Sequence, residues 1–322
     1  MQILSLPAEF SQAVDSMYPM PLLGFYPNGN TLNAIFEDGT KIVYYPDGHK
    51  PEYECATNID IKITNKCNNG CPFCFENSSP KGIHGNLNHP ILDTLQPYQE
   101  IAIGGGNPLL HPNLISFLER MKKKKVICNI TIHQKDFEEN YNLIKFLTDE
   151  KLIYGVGVSL ANPTPELIKK LQTIPTAIVH VINGIVTRKQ MQYLAGHDLK
   201  LLVLGYKFMR NGCDYWSNHS LEIGDRSYSL ERFIDFYLSD FASISFDNAA
   251  VEQLGMKSKC SKEEWKTNYM GDDGTQTFYI DLVNEQYAMN STSLERKPIK
   301  NGQTVKEMFQ ACTRTHVGKQ VD

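Results

Sequence analysis

Three cysteines, Cys67, Cys71 and Cys74, stand in the run Thr64-Asn65-Lys66-Cys67-Asn68-Asn69-Gly70-Cys71-Pro72-Phe73-Cys74. Thiolates separated by three and then two residues can wrap one face of an iron–sulfur cube, leaving the fourth iron without a protein donor. An iron left open in this way is a place where a small molecule can bind and react. Gly70 tolerates positive φ and Pro72 fixes its own, so the interior of the motif suits a tight turn. The same thiols also fit part of a closed zinc site with Cys55 or His84 as the fourth donor, although neither has zinc-finger spacing. Such a protein would be a non-enzymatic metal binder with a structural or regulatory role. The remaining cysteines, Cys55, Cys128, Cys213, Cys260 and Cys312, are scattered. That argues against a disulfide framework and suits small buried apolar side chains in a reducing, cytoplasmic setting.

The elements around the motif must deliver it to a loop. Ile59, Ile61 and Ile63 alternate with Asp60, Lys62 and Thr64, a period-two strand whose end hands Cys67 to the following turn. Further strands are predicted at 99–104, 126–133, 153–160, 177–183 and 200–206, with helices at 112–124, 139–149, 164–172 and 187–195. Six β/α units in series imply a parallel sheet, and the pattern alone does not separate a barrel from a doubly wound sheet. Residues 23–46 read as a β-meander punctuated by Pro27-Asn28-Gly29-Asn30, Asp38-Gly39 and Pro46-Asp47-Gly48. After about residue 212 the alternation stops. Ser229 is expected to cap a helix carrying Leu230, Phe233, Ile234, Tyr237 and Phe241, and a hairpin is expected around Val283-Asn284-Glu285. The expected organisation is a cap over 1–56, a β/α domain over 57–212 and a C-terminal α+β extension over 213–322.

The chain has 322 residues, 41% hydrophobic and 21% charged, the balance of an ordinary globular protein. No apolar run approaches the roughly 20 residues needed to span a bilayer, and the start lacks the pattern of a secretion signal. A formal charge of −4 gives no global pull toward nucleic acid. Lys122 to Lys125 form the one dense basic run and read as the solvated end of a helix.

The cysteine spacing, with Phe73 just before the third cysteine, resembles the signature of the radical S-adenosylmethionine (radical SAM) superfamily. A second resemblance lies about thirty residues on, in Ile103-Gly104-Gly105-Gly106-Asn107-Pro108-Leu109-Leu110-His111-Pro112. The family places Gly-Gly-Glu-Pro here; Gly105, Gly106 and Pro108 match, and Asn107 stands where the Glu is usual. An Asn carbonyl accepts a hydrogen bond but lacks the charge. Ile182-Asn183-Gly184 partly resembles the family's Gly-x-Ile-x-Gly-x-x-Glu, with His180 and Thr187 replacing the first Gly and the Glu.

The resemblance implies an α/β fold built on a partial (β/α)6 TIM-like barrel, with chemistry on the loops after the strand ends. It implies a [4Fe-4S] cluster on Cys67, Cys71 and Cys74, and S-adenosylmethionine bound at the open iron and cleaved to a 5′-deoxyadenosyl radical. Gly105, Gly106 and Asn107 would orient its methionine, Phe73, Ile182 and Gly184 would pack its adenosine, and His133 and Ser159 occupy strand-end positions that often contact methionine or ribose. No general acid or base can be assigned. The stretch from Glu76 to His89 reads either as a lid or as a plain surface loop. The meander and hairpin are similar to those of peptide-modifying members, with a cysteine-poor SPASM-like extension, so a peptide or protein substrate is expected. A nucleoside-like or other small metabolite is the alternative, and a reductant such as flavodoxin or ferredoxin is implied.

Overall fold

The computed structural model describes residues 18–45 and 49–317, and they form two compact units that divide between Tyr53 and Glu54. The first unit is the expected antiparallel meander of β1 (Leu22–Asn28), β2 (Thr31–Phe36) and β3 (Lys41–Tyr44), in the order β1-β2-β3. Its hairpin pairs Asn28 with Thr31, and Ala34 and Phe36 bury its small core against Leu22, Phe25, Leu32 and Ile42. The turn expected at Pro46-Asp47-Gly48 lies outside the described residues.

The second unit is built on a ten-stranded sheet. Its parallel series is β4 (Asn58–Thr64), β5 (Glu100–Gly105), β6 (Ile127–His133), β7 (Gly155–Ser159), β8 (Ala177–Ile182), β9 (Lys200–Leu204) and β10 (Ser243–Phe246). Between and after them run α1 (Leu114–Lys123), α2 (Gln134–Glu139), α3 (Tyr141–Asp149), α4 (Pro165–Gln172), α5 (Arg188–Leu194), α6 (Asn211–Tyr237) and α7 (Asn248–Gln253). Then follow α8 (Met256–Lys259), α9 (Lys262–Asn268), β11 (Thr277–Asp281), β12 (Gln286–Ala288), β13 (Lys297–Pro298) and α10 (Val305–Val317). No helix among the described residues is long and apolar enough to cross a membrane.

The sheet order is β10-β9-β8-β7-β6-β5-β4-β11-β12-β13. From β4 to β10 each strand lies beside its predecessor, with no reversal of direction across the sheet. Right-handed crossovers in such a series place every connecting helix on one face, which excludes the doubly wound alternative. The side-chain pattern agrees. Ile59, Ile61, Ile63, Ile101, Ile103, Ile130, Ile132, Val156, Val158, Val179, Val181, Leu201 and Val203 are all buried on the aliphatic face, with the apolar stripes of α1, α3, α4 and α5. The opposite face carries Asp60, Lys62, Ala102, Gly104, Asn129, His133, Gly155, Gly157, Ser159 and His180, polar or small residues that face no crossover helix.

Several expectations give way. The first β/α unit has no α-helix: residues 65–99 carry the cysteine loop and a single 3₁₀ turn, Pro90–Thr94. Helix 139–149 begins earlier, as the pair α2 and α3 meeting at Asn140. Ser229 caps nothing, because it lies inside α6, and Phe241 falls beyond that helix. Alternation continues past residue 212, since β10 pairs in parallel with β9. Nor does the expected extension stand apart. Its hairpin strand β11 pairs in parallel with β4, Ile280 beside Ile61, and becomes part of the same sheet. The sheet ends at β10 and β13 and is open among the described residues. The Lys122–Lys125 run does end α1, where Lys122 and Lys124 donate to the carbonyls of Glu150 and Asp93.

The glycines of the helix-free face admit its larger side chains. A Cβ on Gly157 would lie 2.2 Å from Cε1 of His180, whereas one on Gly104 would meet nothing within 4 Å. Gly157→Ala is therefore expected to cost about 1–3 kcal/mol by overpacking and Gly104→Ala to leave stability nearly unchanged, as read by chemical denaturation of the two variants.

Candidate functional site

The cysteine loop leaves β4 at Thr64 and is held by the chain that returns from it. Asn65 N–H donates to Ile83 O (2.9 Å), Cys67 N–H to Ser79 O (3.0 Å), Ser79 N–H to Asn65 O (3.0 Å) and Gly85 N–H to Ile63 O (2.8 Å). Residues 79–85 thus extend the edge of β4, with bridges Thr64–His84 and Lys66–Ser79, rather than standing free as a lid. Inside the loop Gly70 takes φ 63°, and Cys74 N–H donates to Cys71 O across the turn (3.1 Å).

All three thiols are free and half-buried. Burial pushes the Cys71 thiol up to about 11, and the neighbouring Cys74 and Cys67 add to the rise. The three thiols thus lie near enough to one another to interact, and a cation bound beside Cys71 would oppose this rise. Among the described residues no three His, Cys, Asp or Glu side chains converge to hold a single metal ion. Neither proposed zinc partner joins them. Cys55 precedes β4 and Cys67 follows it, so the strand's seven residues hold them about 20 Å apart. His84 Nδ1 is hydrogen-bonded to Thr64 Oγ1 (2.9 Å). Three thiols without a fourth donor suit a cube, whose ligands bind different irons and stand farther apart than those around one ion.

Gly104, Gly105 and Gly106 end β5 beside the exit of β4. Gly106 N–H donates to Thr64 O (2.7 Å) and Asn107 N–H to Lys66 O (2.8 Å), which brings this backbone alongside Cys67. The approach leaves no room for side chains: a Cβ on Gly105, at φ +107°, would strike Thr64 O at 2.4 Å, and one on Gly106 would strike Lys66 O at 2.3 Å. Gly104 faces open space. Asn107 is buried, and its Oδ1 accepts from Leu109 N–H (3.0 Å), capping the 3₁₀ turn Pro108–Leu110. Its side-chain acceptor is thereby engaged within the fold.

The other predicted residues fall at neighbouring strand ends. His133 ends β6 and caps α2 by accepting from Lys135 N–H (3.1 Å); burial holds its imidazole below the ordinary value. Asp136 of α2 accepts from Asn69 Nδ2 (2.5 Å), tying that helix to the cysteine loop. Ser159 lies in register between His133 and His180. Ile182 pairs with Leu204, while Gly184 sits at φ +77° where a Cβ would meet Ile223 of α6 at 2.5 Å. The absence of a side chain at Gly184 thus lets α6 pack closely against this turn.

A clamp on the cysteine loop had no sequence signature. Arg210 donates from Nη1 to Phe75 O (2.9 Å) and lies 3.6 Å from Glu76. Lys207 Nζ sits 4.2 Å from the centre of the Phe75 ring, and Phe73 meets Tyr215 of α6 edge-on at 5.8 Å. Beneath the loop, buried Lys62 pairs with Glu76 (2.8 Å) and with Asp281 of β11 (3.3 Å), and Tyr279 donates to Glu76 (3.2 Å). A lysine within an isoleucine alternation was the available clue, and periodicity alone reads it as solvent-facing. Asp60 behaves differently from these partnered groups: β4 is paired on both sides, and its side chain reaches solvent on the helix-free face of the sheet. The protein atoms packed around it still desolvate its carboxyl and push it up to about 6, with Lys207 opposing the rise and Asp273, Asp247 and Glu76 adding to it.

Comparison with known proteins now bears on these groups. The model of the Radical SAM superfamily matches residues 61–185, which contain all three cysteines and the glycine strand end. No curated protein matches the chain. Among solved structures it is similar to Streptococcus suis SuiB bound to S-adenosylmethionine, with 13% identity and a TM-score of 0.52 over 78% of this chain and 65% of that one. SuiB bound to the precursor peptide SuiA gives 13% identity and a TM-score of 0.51 over 80% and 65%. A further SuiB structure gives 11% identity and a TM-score of 0.51 over 89% and 87%. The chain thus spans 65% of the length of the first two neighbours, and at these identities the likeness is one of fold.

Lys62→Met leaves two buried carboxylates without their shared cation and is expected to cost about 3–5 kcal/mol in denaturant melts. Asp60→Asn should act in the opposite sense. The folded carboxyl keeps its proton up to about 6 against an ordinary 3.8, so this group opposes folding above that window and ceases to as pH falls through it. The variant should therefore melt higher than the parent at about pH 8 and lose that advantage by about pH 4.

Proposed function

We propose that this chain is a radical SAM enzyme, a reading supported by the superfamily match over residues 61–185, and that it holds a [4Fe-4S] cluster on Cys67, Cys71 and Cys74 and uses S-adenosylmethionine to abstract hydrogen from a peptide or protein. One observation carries the reading: three free, half-buried thiols lie beside a side-chain-free backbone, with open space at Gly104. When bound, the cluster supplies an electron to S-adenosylmethionine, whose cleavage to a 5′-deoxyadenosyl radical makes an unactivated C–H bond reactive.

The protein's share is placement. Cys67, Cys71 and Cys74 hold iron, and their loop is kept in place by the 79–85 return and by Lys62 beneath it. Gly104 to Gly106 offer main chain to the methionine end of the cofactor, close to Cys67. Phe73 against Tyr215 walls the loop from solvent, while His133 and Ser159 stand at the strand ends for ribose or methionine contacts. Ile182 is kept for the adenosine, with Gly184 shaping the turn that follows.

Curvature supports the finer reading of the sheet as a partial (β/α)6 barrel. Asp247, which accepts from Gly205 N–H just after β9, acts on the charge of Asp60 on β4. Five strand spacings would hold them roughly 24 Å apart on a flat sheet, beyond the ~10 Å reach of charges in salt water. The peptide substrate is supported by the fold shared with SuiB, one structure of which holds its precursor peptide. A flavodoxin- or ferredoxin-like protein would deliver the electron.

Anaerobic reconstitution is expected to give about four irons per chain, and addition of S-adenosylmethionine with dithionite to release 5′-deoxyadenosine. Cys71→Ala should abolish that release. Bound zinc with no cleavage would overturn the reading.

A further inference from the structure

The helix-free face contains charges that the cofactor-binding groups leave unused. Among the described residues Asp60 has neither a hydrogen bond nor an ion pair, and its side chain reaches solvent on the helix-free face. The carboxylates around it are already satisfied. Asp247 accepts from the Gly205 and Ala250 N–H groups (both 2.8 Å). Asp273 accepts from the Asn248 amide (2.7 Å) and the Asn290 amide (2.6 Å). Glu76 has Lys62, Arg210 and Tyr279. Lys207, the one cation acting on Asp60, is drawn to Ser291 Oγ (3.1 Å) and the Phe75 ring. With Glu76 balanced by Lys62 and Arg210, the carboxylates of Asp60, Asp247 and Asp273 face the single cation Lys207, which leaves this region negative.

A second group on the same helix-free face, also under the influence of Lys207, lacks a partner. His180 of β8 is 9% exposed, and its Nδ1 is buried without a partner. Its ring lies over Gly157, which has no Cβ to obstruct it, and Lys207 acts on it as on Asp60. Burial lowers its imidazole to about 4, so it is neutral at physiological pH and has a lone pair for an N–H donor. An unpaired carboxylate and an unpaired neutral imidazole on one face both lack a donor, and the carboxylate lacks a positive charge.

We propose that Asp60 anchors a cationic group of the substrate, a protonated amine or a guanidinium, with His180 accepting one of its N–H bonds. The assignment rests on the radical SAM reading for its location and specifies the substrate within it: a residue bearing such a side chain, or a peptide's own amino terminus, approaches this face charge first. Asp60 is a binding and positioning group in this arrangement and takes no part in hydrogen transfer.

The test uses the reconstituted full chain without S-adenosylmethionine, and butylammonium as the probe, read by saturation-transfer NMR against the neutral isostere 1-butanol. Butylammonium should give the stronger signal, and Asp60→Asn should lower its affinity about tenfold, the loss expected for one charge-assisted hydrogen bond. Because the variant is expected to melt no lower than the parent at about pH 8, the loss is not one of fold. The parent supplies a second measure: its butylammonium signal should decline as pH drops through about 6, where Asp60 gains its proton, and because burial also raises the carboxyl of nearby Asp247, Asp60→Asn run over the same range isolates the part due to Asp60. Equal affinity in parent and variant, or a signal flat across that range, overturns the proposal. Titration of S-adenosylmethionine by calorimetry separates the two sources of positive charge. Unchanged affinity in Asp60→Asn assigns the anchor to the substrate, and a matching loss assigns it to the cofactor and overturns the proposal. None of these measurements needs cofactor cleavage, so their failure is distinct from failure of the radical SAM reading.

Discussion

A single ammonium group, Lys62 Nζ, joins the three parts of this unit that sequence keeps far apart. It lies on β4, reaches Glu76 just after the third cysteine, and reaches Asp281 at the end of β11. All three side chains are almost wholly buried. A charge removed from water has a large desolvation cost that only close, well-placed partners offset. The position of the cysteine loop is therefore coupled to a strand that arrives some two hundred residues later. Arg296, 3.9 Å from Asp281 and 4.8 Å from the Tyr279 ring centre, and Arg210 beside Glu76 extend the same network outward. The thiols thus lie above a polar scaffold whose every carboxylate has a cation.

Much of this architecture could be read from residue types. The alternation at 58–64 correctly divided β4 into an aliphatic side and a polar side, and the five strands that follow appear near their expected places. What alternation conceals is the environment of the polar side. In an isolated sheet it would face water, but here Lys62 is inaccessible and Asp60 lies among the charges of Lys207, Asp273, Asp247 and Glu76. Periodicity also leaves strand order undetermined, so only pairing could show that the sheet is singly wound. The cysteine motif and the glycine strand end were legible because their spacing reflects local backbone requirements, and the close approaches at Gly105 and Gly106 state those requirements in ångströms.

The misreadings share a cause. The first half of α6, Asn-Gly-Cys-Asp-Tyr-Trp-Ser-Asn-His-Ser, has no apolar stripe and a kink at His219, so it is held by tertiary contacts such as Phe73 on Tyr215 rather than by its own pattern. β10 is only four residues long, too short for a period to register. Nor could the sequence show that Asn107 also caps a 3₁₀ turn beginning at Pro108, where Leu109 N–H donates to its Oδ1. In each case a neighbour distant in sequence, or the geometry of a following turn, decided what local preference could not.

The pairing of β11 with β4 has a consequence for how the chain is made. Thr57 hydrogen-bonds Gln276 across 219 residues of sequence, so one edge of an isoleucine-rich strand awaits its partner until some two hundred further residues have been synthesised. At about 5–20 residues per second that interval is roughly 10–40 s, and an open strand edge of this kind invites association with other chains. Metal loaded during the wait would enter a loop whose buried lysine still lacks one of its two acids. The hairpin that emerges from the ribosome some two hundred residues after β4 is therefore also the step that closes the foundation under the cysteines.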